Sequence, residues 1–326
     1  MIITQMRMIP IGNHVSFMEI QKKRLFRWFA PLFLMLLLGG CASVRSVPEP
    51  VQTEPPAAVV QPTRAPVVGI ALGGGAARGF AHVGVLQVLE ENGIKVDLLA
   101  GTSAGSVVAV QYASGMNVSQ LKQAALTMDE AMLSDWTIPL FGRGLLRGEA
   151  LARYVNQQVN QQTLEQLRIP VGVLATNLGT GQGVLFRRGD TGTAVRASSA
   201  VPGVFSPVSI GGNNFVDGGL VAPVPVEGVR SMGAELVIAV DISSVPQDGA
   251  GTDVLRTLLR TFTIMGQSIN HHALKDADVV VRPNLAGMGS ADFSSRQQAI
   301  DAGRVAMQRA IPRLQQLMQD KRVPLR

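Results

Sequence analysis

Cysteine is almost missing: Cys41 is the single one in 326 residues. No intramolecular disulfide can form, and no thiolate cluster can hold a metal. Histidine is nearly as scarce, with only His14, His82, His271 and His272. No His/Cys/Asp/Glu group stands at ligand spacing, so neither a metal nor another cofactor is expected. Aromatic residues reach 5%, too few for a base-stacking surface. The net charge is +6, but residues 1–40 hold Arg7, Lys22, Lys23, Arg24 and Arg27 against Glu19. That segment carries +4, which leaves +2 for the rest. No nucleic-acid partner is implied. The apolar run 28–38 is too short to span a bilayer, which needs about 20 residues.

What is present is glycine, in three informative places. Gly101-Thr102-Ser103-Ala104-Gly105 follows the apolar run 94–100 and precedes a helix-like run. A serine on a tight strand-to-helix turn pushes its hydroxyl out of the sheet at strained backbone angles. Gly101 and Gly105 leave room for that elbow. The following helix aims its positive N-terminal end at the same place. Such a turn suits a nucleophile whose reaction builds an oxyanion.

Upstream, the buried-strand pattern 67–72 runs into Gly73-Gly74-Gly75-Ala76-Ala77-Arg78-Gly79 and then an apolar helical stretch. A glycine-rich turn opening a helix is an anion cradle of backbone N–H groups. The nucleotide-binding P-loop pattern is absent, because no lysine stands at the required place. A dinucleotide fingerprint stays open in outline. Gly73, Gly75 and Gly79 miss its spacing by one, while Asp97 lies near the distance of its acidic residue.

The third place is Phe215-Val216-Asp217-Gly218-Gly219. Alone, Asp-Gly-Gly is a turn. Following the glycine loop and the serine elbow in this order, it resembles the catalytic-acid motif of the patatin-like phospholipases. The resemblance spans roughly 67–225. It continues into 277–283 and 293–300, which look like the C-terminal part of bacterial members. It implies a three-layer α/β/α fold with a mostly parallel sheet, and a Ser103–Asp217 dyad working without histidine. It also implies an acyl-enzyme mechanism on phospholipid or lysophospholipid esters. The oxyanion loop would be Gly73, Gly74, Gly75 and Ala76, with Arg78 ordering it and Ala104 as a further donor. Gly218 and Gly219 complete the acid motif. Many members carry a fourth glycine where Ala76 stands, and alanine keeps the N–H donor.

Two other readings stand beside this one. Ser103, Asp217 and His271 occur in the chain order of an α/β-hydrolase triad. Yet the residues around His271 read as helix rather than loop. A catalytically idle envelope protein could also keep the fold as a binding module. His82 reads as a helix-packing residue.

Lys22-Lys23-Arg24 and Arg27, the apolar run 28–38 and Leu38-Gly39-Gly40-Cys41 resemble a lipoprotein signal. The expected organisation is therefore a signal peptide over 1–40, with Met1 or Met18 as the start. A tether over 41–66 with Cys41 lipidated comes next, then an acyl hydrolase domain over 67–326. Six prolines between 48 and 66 make the tether semi-extended, able to reach roughly 75 Å at about 3.1 Å per residue. The expected location is the bacterial envelope, on the periplasmic face of the outer membrane. The membrane would be held through the lipid anchor.

Strands are expected at 67–72, 94–100, 171–177, 183–187, 214–216, 236–241 and 278–282. Helices are expected at 79–92, 104–115, 118–129, 148–158, 163–166, 192–199, 226–231, 252–273 and 296–319. Leu255, Leu258, Leu259, Phe262 and Met265 form an apolar stripe that reads either as core packing or as a bilayer-facing patch. Residues 198–207 read as a loop that either lines an acyl groove or simply connects.

Overall fold

Continuous apolar runs set the sheet. β2 (Val68–Leu72), β3 (Leu98–Thr102) and β8 (Leu236–Val240) are buried at every residue. Strands of that kind need cover on both faces. The computed structural model describes residues 63–128, 146–244, 254–289 and 291–324. The expected signal peptide, Cys41 and most of the tether lie outside the described residues.

The remaining strands are β1 (Thr63–Arg64), β4 (Val171–Asn177), β5 (Gly183–Phe186), β6 (Val208–Ile210), β7 (Asn213–Asp217), β9 (Val279–Val281) and β10 (Val323–Pro324). The main sheet runs β6-β7-β4-β3-β2-β8-β9, with β5 also pairing β4. The five strands β4-β3-β2-β8-β9 are parallel, and β5, β6 and β7 join antiparallel. The helices are α1 (Ala81–Glu91), α2 (Ala104–Ala113), α3 (Val118–Thr127), α4 (Glu149–Gln158), α5 (Thr191–Ser198), α6 (Val226–Ser231), α7 (Val254–Ala273) and α8 (Arg296–Asp320).

Alternation along the strands divides the interior in two. Ile70, Leu72, Leu99, Val173, Ile238 and Val240 pack with residues of α1, α2, α3 and α8. Ala71, Ala100, Val237 and Ala239 face the other way, toward Val226 and Val229 of α6. Large side chains fill one layer and small ones the other, which lets α6 lie close to the sheet. The result is the expected three-layer α/β/α arrangement with a mostly parallel sheet.

On the thicker side, α1 and α8 touch backbone to backbone. A Cβ on Gly84 would land on the Ile300 carbonyl, and one on Gly303 on the Ala81 carbonyl. Arg304 and Glu91 meet at 2.7 Å along the same seam. That pair is partly exposed and contributes little. The close approach therefore carries the contact.

The structure departs from the sequence expectations at four places. The strand expected at 94–100 pairs only from Leu98. Ile94 bonds back to Leu89, and the Asp97 carboxylate accepts from the Val68 N–H at 3.0 Å, so 94–97 is a packed connector. β6 was not expected; it pairs with β7 across Gly211 and Gly212, both at positive φ. Within the stretch read as tether, Thr63 and Arg64 pair with Pro324 and Val323. Arg64 also forms a two-bond ion pair with Glu235 at 2.7 and 2.8 Å. Finally, the apolar stripe of α7 is not core. Of that helix only Gly266 and Asn270 are buried; on the stripe Leu255, Leu258, Leu259 and Phe262 are half-buried and Met265 is about half exposed. Leu255 and Leu258 lie against Gly203, and polar clamps add to this: Asn270 accepts from the Val224 N–H at 3.2 Å, and Gln267 donates to Ser244 at 2.9 Å.

Replacing Gly303 with valine is expected to lower stability by about 3 kcal/mol, because the helices must part to admit the side chain. A urea midpoint unchanged from wild type would show that α8 can slide to make room.

Candidate active site

The elbow forms where β3 meets α2. Ser103 sits between them at φ 52°, ψ −123°, a region costly for any residue with a Cβ. Three contacts hold it there. The Ser103 carbonyl accepts from the Ser106 N–H at 2.8 Å and from the Ser106 hydroxyl at 2.6 Å. The Ser103 N–H donates to the Ser198 hydroxyl oxygen at 2.9 Å. Ser198 in turn donates to the Leu174 carbonyl at 2.5 Å. A Cβ on Gly105 would strike the Leu72 carbonyl, so glycine lets α2 press against β2.

Sheet register brings the aspartate to the serine. Thr102 pairs with Leu174 on β4, and the next β4 residue, Ala175, pairs with Asp217 on β7. Residues over a hundred positions apart thus become near neighbours across one strand. Asp217 ends β7 and caps the turn Gly218–Leu220, its Oδ1 accepting from the Gly219 N–H at 2.6 Å. Its backbone is fixed from both sides: its N–H donates to the Ala200 carbonyl at 3.0 Å, and its carbonyl accepts from the Thr176 hydroxyl at 2.8 Å. The loop 198–207 therefore supports the aspartate directly through Ala200.

The Asp217 carboxyl is buried, and burial pushes its pKa from 3.8 up to about 6. The Gly219 N–H, which donates to the carboxylate, and the neighbouring Ser103 hydroxyl oppose that rise. No histidine is among the groups that perturb it. His271 and His272 sit on α7, where His272 Nδ1 meets the Ser268 carbonyl at 3.1 Å.

The glycine loop is more committed than its sequence suggests. The Gly73 N–H donates to the Val240 carbonyl at 3.0 Å and the Gly74 N–H to the Pro223 carbonyl at 2.9 Å. These two of the expected oxyanion donors are thus engaged in holding the loop to β8 and to the segment before α6. Gly74 faces the elbow, since a Cβ there would lie 3.2 Å from that of Ser103. Ala76 takes φ 50°, a strained value for alanine. The Arg78 N–H donates to the Gly75 carbonyl at 3.2 Å.

His82 does more than pack α1. Its ring is fully buried, and Nε2 donates to the Gly73 carbonyl at 2.8 Å. Burial lowers its pKa to about 4 against the opposing Gly73 bond, so the ring is neutral near pH 7. His82 and Ser198 are supporting residues that motif spacing does not reveal. One signal existed for His82, a polar residue at the second position of a helix whose first turns are otherwise apolar. Ser198 had none beyond its neighbourhood.

Among the described residues no group of three His, Cys, Asp or Glu side chains is placed to hold a metal. What the geometry offers is a serine elbow brought by register beside a buried carboxylate, next to a glycine-rich backbone loop.

A family model described as patatin-like phospholipase matches residues 70–230, the span that holds Ser103 and Asp217.

The chain carries a patatin-like phospholipase domain.

An uncharacterised NTE family protein of Mycobacterium tuberculosis is 36% identical over 190 residues, 58% of this chain and 52% of that protein. The mouse patatin-like phospholipase domain-containing protein 6 is 33% identical over 231 residues, 68% of this chain and 16% of its own length. The chain spans about half the length of the first of these relatives. VipD of Legionella pneumophila shares the fold of the patatin-like domain, with a TM-score of 0.53 over 80% of this chain and 68% of that one, at 14% identity.

The raised pKa of Asp217 has a stability consequence. In the folded domain the carboxyl holds its proton up to about pH 6; unfolded, it releases it near 3.8. Stability is therefore lost as pH rises through that window. Asp217→Asn removes the buried charge, so it is expected to raise Tm at about pH 8 and to have little effect at about pH 4. Thermal melts at both pH values check this. A variant less stable than wild type at about pH 8 would contradict the buried-charge account.

Proposed function

We propose that the protein is a serine lipid acyl hydrolase that cleaves carboxylic esters of phospholipids or lysophospholipids through a Ser103–Asp217 dyad. The observation that carries this reading is Ser103 on a strained elbow, brought by sheet register beside the buried Asp217 carboxylate, with no histidine acting on that carboxylate. Asp217 accepts the hydroxyl proton as Ser103 Oγ attacks the ester carbonyl. The carbonyl oxygen becomes an oxyanion beside the glycine loop. With Gly73 and Gly74 engaged, the N–H groups of Gly75 and Ala76 are its donors, aided by the N-terminal end of α2. Asp217 returns its proton to the leaving alcohol, and an acyl-enzyme remains. Water, deprotonated by the same carboxylate, then releases the fatty acid and frees Ser103.

A base with a pKa near 6 is ionised for most molecules at neutral pH yet remains able to take a proton. Activity should rise as pH passes through about 6 and then level. Ser103→Ala should abolish both ester hydrolysis and fluorophosphonate labelling. Asp217→Asn should cost on the order of 10³-fold or more in kcat. His271→Ala and His272→Ala should leave kcat within about twofold. These rates are measured on phospholipid, lysophospholipid and p-nitrophenyl ester panels. A loss at either histidine comparable to that at Asp217 would restore the triad.

We further infer a lipoprotein of the bacterial envelope. Its support is the basic segment, the short apolar run and Leu38-Gly39-Gly40-Cys41 ending at the sole cysteine. Cleavage before Cys41 and acylation of that residue would anchor the domain on the periplasmic face of the outer membrane. Several acyl chains hold a protein stably, each buried CH₂ contributing about 0.8 kcal/mol. Cys41→Ser should abolish incorporation of a palmitate analogue. Mass spectrometry finding an unmodified Cys41 in membrane-bound mature protein would defeat the reading.

A further inference from the structure

A cavity of about 500 Å³ opens at the carboxyl ends of β8 and β9. Neither Ser103 nor Asp217 lines it. Its charged and polar wall comes from four places: Arg78 of the glycine loop, Asp241 after β8, Asn270 and His271 of α7, and Arg282 and Asn284 after β9.

Asp241 is held by four contacts. Its Oδ1 accepts from the Ser243 N–H at 3.1 Å, the Ser243 hydroxyl at 2.7 Å and the Asn270 amide at 3.4 Å. Its Oδ2 accepts from Arg282 Nε at 3.2 Å. One carboxylate thus faces two guanidiniums and bonds only that of Arg282. Arg78 is the side chain left over. It is only 8% exposed, and its Nε finds no hydrogen-bond partner among the described residues. A buried donor of that kind calls for an acceptor. If Arg78 served only as a structural counterion to Asp241, a direct bond between them would be expected. The four contacts on Asp241 come from Ser243, Asn270 and Arg282 instead.

We propose that this cavity is a second ligand site, which binds an anion of the phosphate class between Arg78 and Arg282. Oxygen-rich tetrahedral anions suit paired guanidiniums, which present several donors in a fixed fork. The volume admits a phosphate with an attached small polar group. The position also couples the site to the chemistry. Arg78 follows Ala76 by two residues, and its N–H bonds the Gly75 carbonyl. An anion that fixes Arg78 fixes the backbone stretch that offers the Gly75 and Ala76 N–H groups to Ser103. The ligand is either free phosphate or a phosphate within a lipid headgroup.

The test titrates inorganic phosphate into the full chain by isothermal calorimetry. No turnover is involved, so the result is independent of the hydrolase reading. Saturable binding is expected in wild type. It should weaken at least about tenfold in Arg282→Gln and in Asn284→Asp, which places a negative charge at the rim. Arg282 is 62% exposed along its side chain but bonds the nearly buried Asp241, so Asn284→Asp, which breaks no ion pair, is the second variant that keeps the test independent of folding. Kinetics then identify the source. If phosphate changes kcat on a neutral p-nitrophenyl ester, the ligand is a free anion. If it only raises KM for a phospholipid, the ligand is a headgroup. Absence of binding in wild type, or equal affinity in both variants, would overturn the site. Binding without either kinetic effect would overturn the coupling through Arg78.

Discussion

Everything about the serine depends on keeping one carboxylate out of water. Asp217 is useful as a base because burial raises its pKa, and burial of a charge is unfavourable unless the surroundings are rigid. The fold supplies that rigidity through the main chain rather than through countercharge. Ala200 and Thr176 clamp the aspartate's backbone, while Gly219 donates to its carboxylate and the Ser103 hydroxyl lies in its neighbourhood. A cation beside it would have lowered the pKa and weakened the base. These two groups keep the ionised form accessible without removing its basicity.

The second constraint is strain. Ser103 and Ala76, the residues on either side of the reacting space, both hold positive φ without being glycine. Each such residue costs on the order of 1–3 kcal/mol and persists only where neighbours over-determine it. Ser198 and Ser106 fix the elbow; His82, Val240 and Pro223 fix the glycine loop. These contacts run from the elbow to β4 and from the loop to β8. The large core beneath α1 and α8 stabilises the sheet to which they are anchored. The seam at Gly84 and Gly303 is therefore a remote support of the site, since α1 follows directly from the glycine loop.

The catalytic outline was legible because its chemistry is local. An elbow needs glycines at fixed offsets, an oxyanion loop needs a glycine run, and Asp217 announces itself by Gly218 and Gly219. Buried parallel strands were legible too, since β2 and β8 are unbroken apolar runs. What could not be read depends on partners distant in sequence. Ser198 is an ordinary helix-end serine until register sets it beside Ser103. The glycine loop reads as a row of free donors until Val240 and Pro223 arrive from elsewhere. Ile94 and Val96 look like strand because burial alone produces the same pattern. The Gly211-Gly212 pair was the overlooked cue for β6, since two glycines between strands make a hairpin turn. The α7 stripe misleads for the opposite reason: periodicity reports an apolar face but not whether anything covers it.

Three ionisable groups in one region show how burial sorts charge. Desolvation raises Asp217 toward its neutral form, keeps His82 neutral, and lowers the pKa of Arg78 against the pull of Asp241. Only Arg78 stays charged regardless, because a guanidinium cannot be deprotonated at accessible pH. The neutral His82 is free to serve as a plain donor to Gly73, and the poised Asp217 is free to exchange a proton. The permanent charge therefore has to be accommodated in space rather than by protonation. In this fold the space is the polar wall between β8 and β9, reached from the same loop that borders the serine.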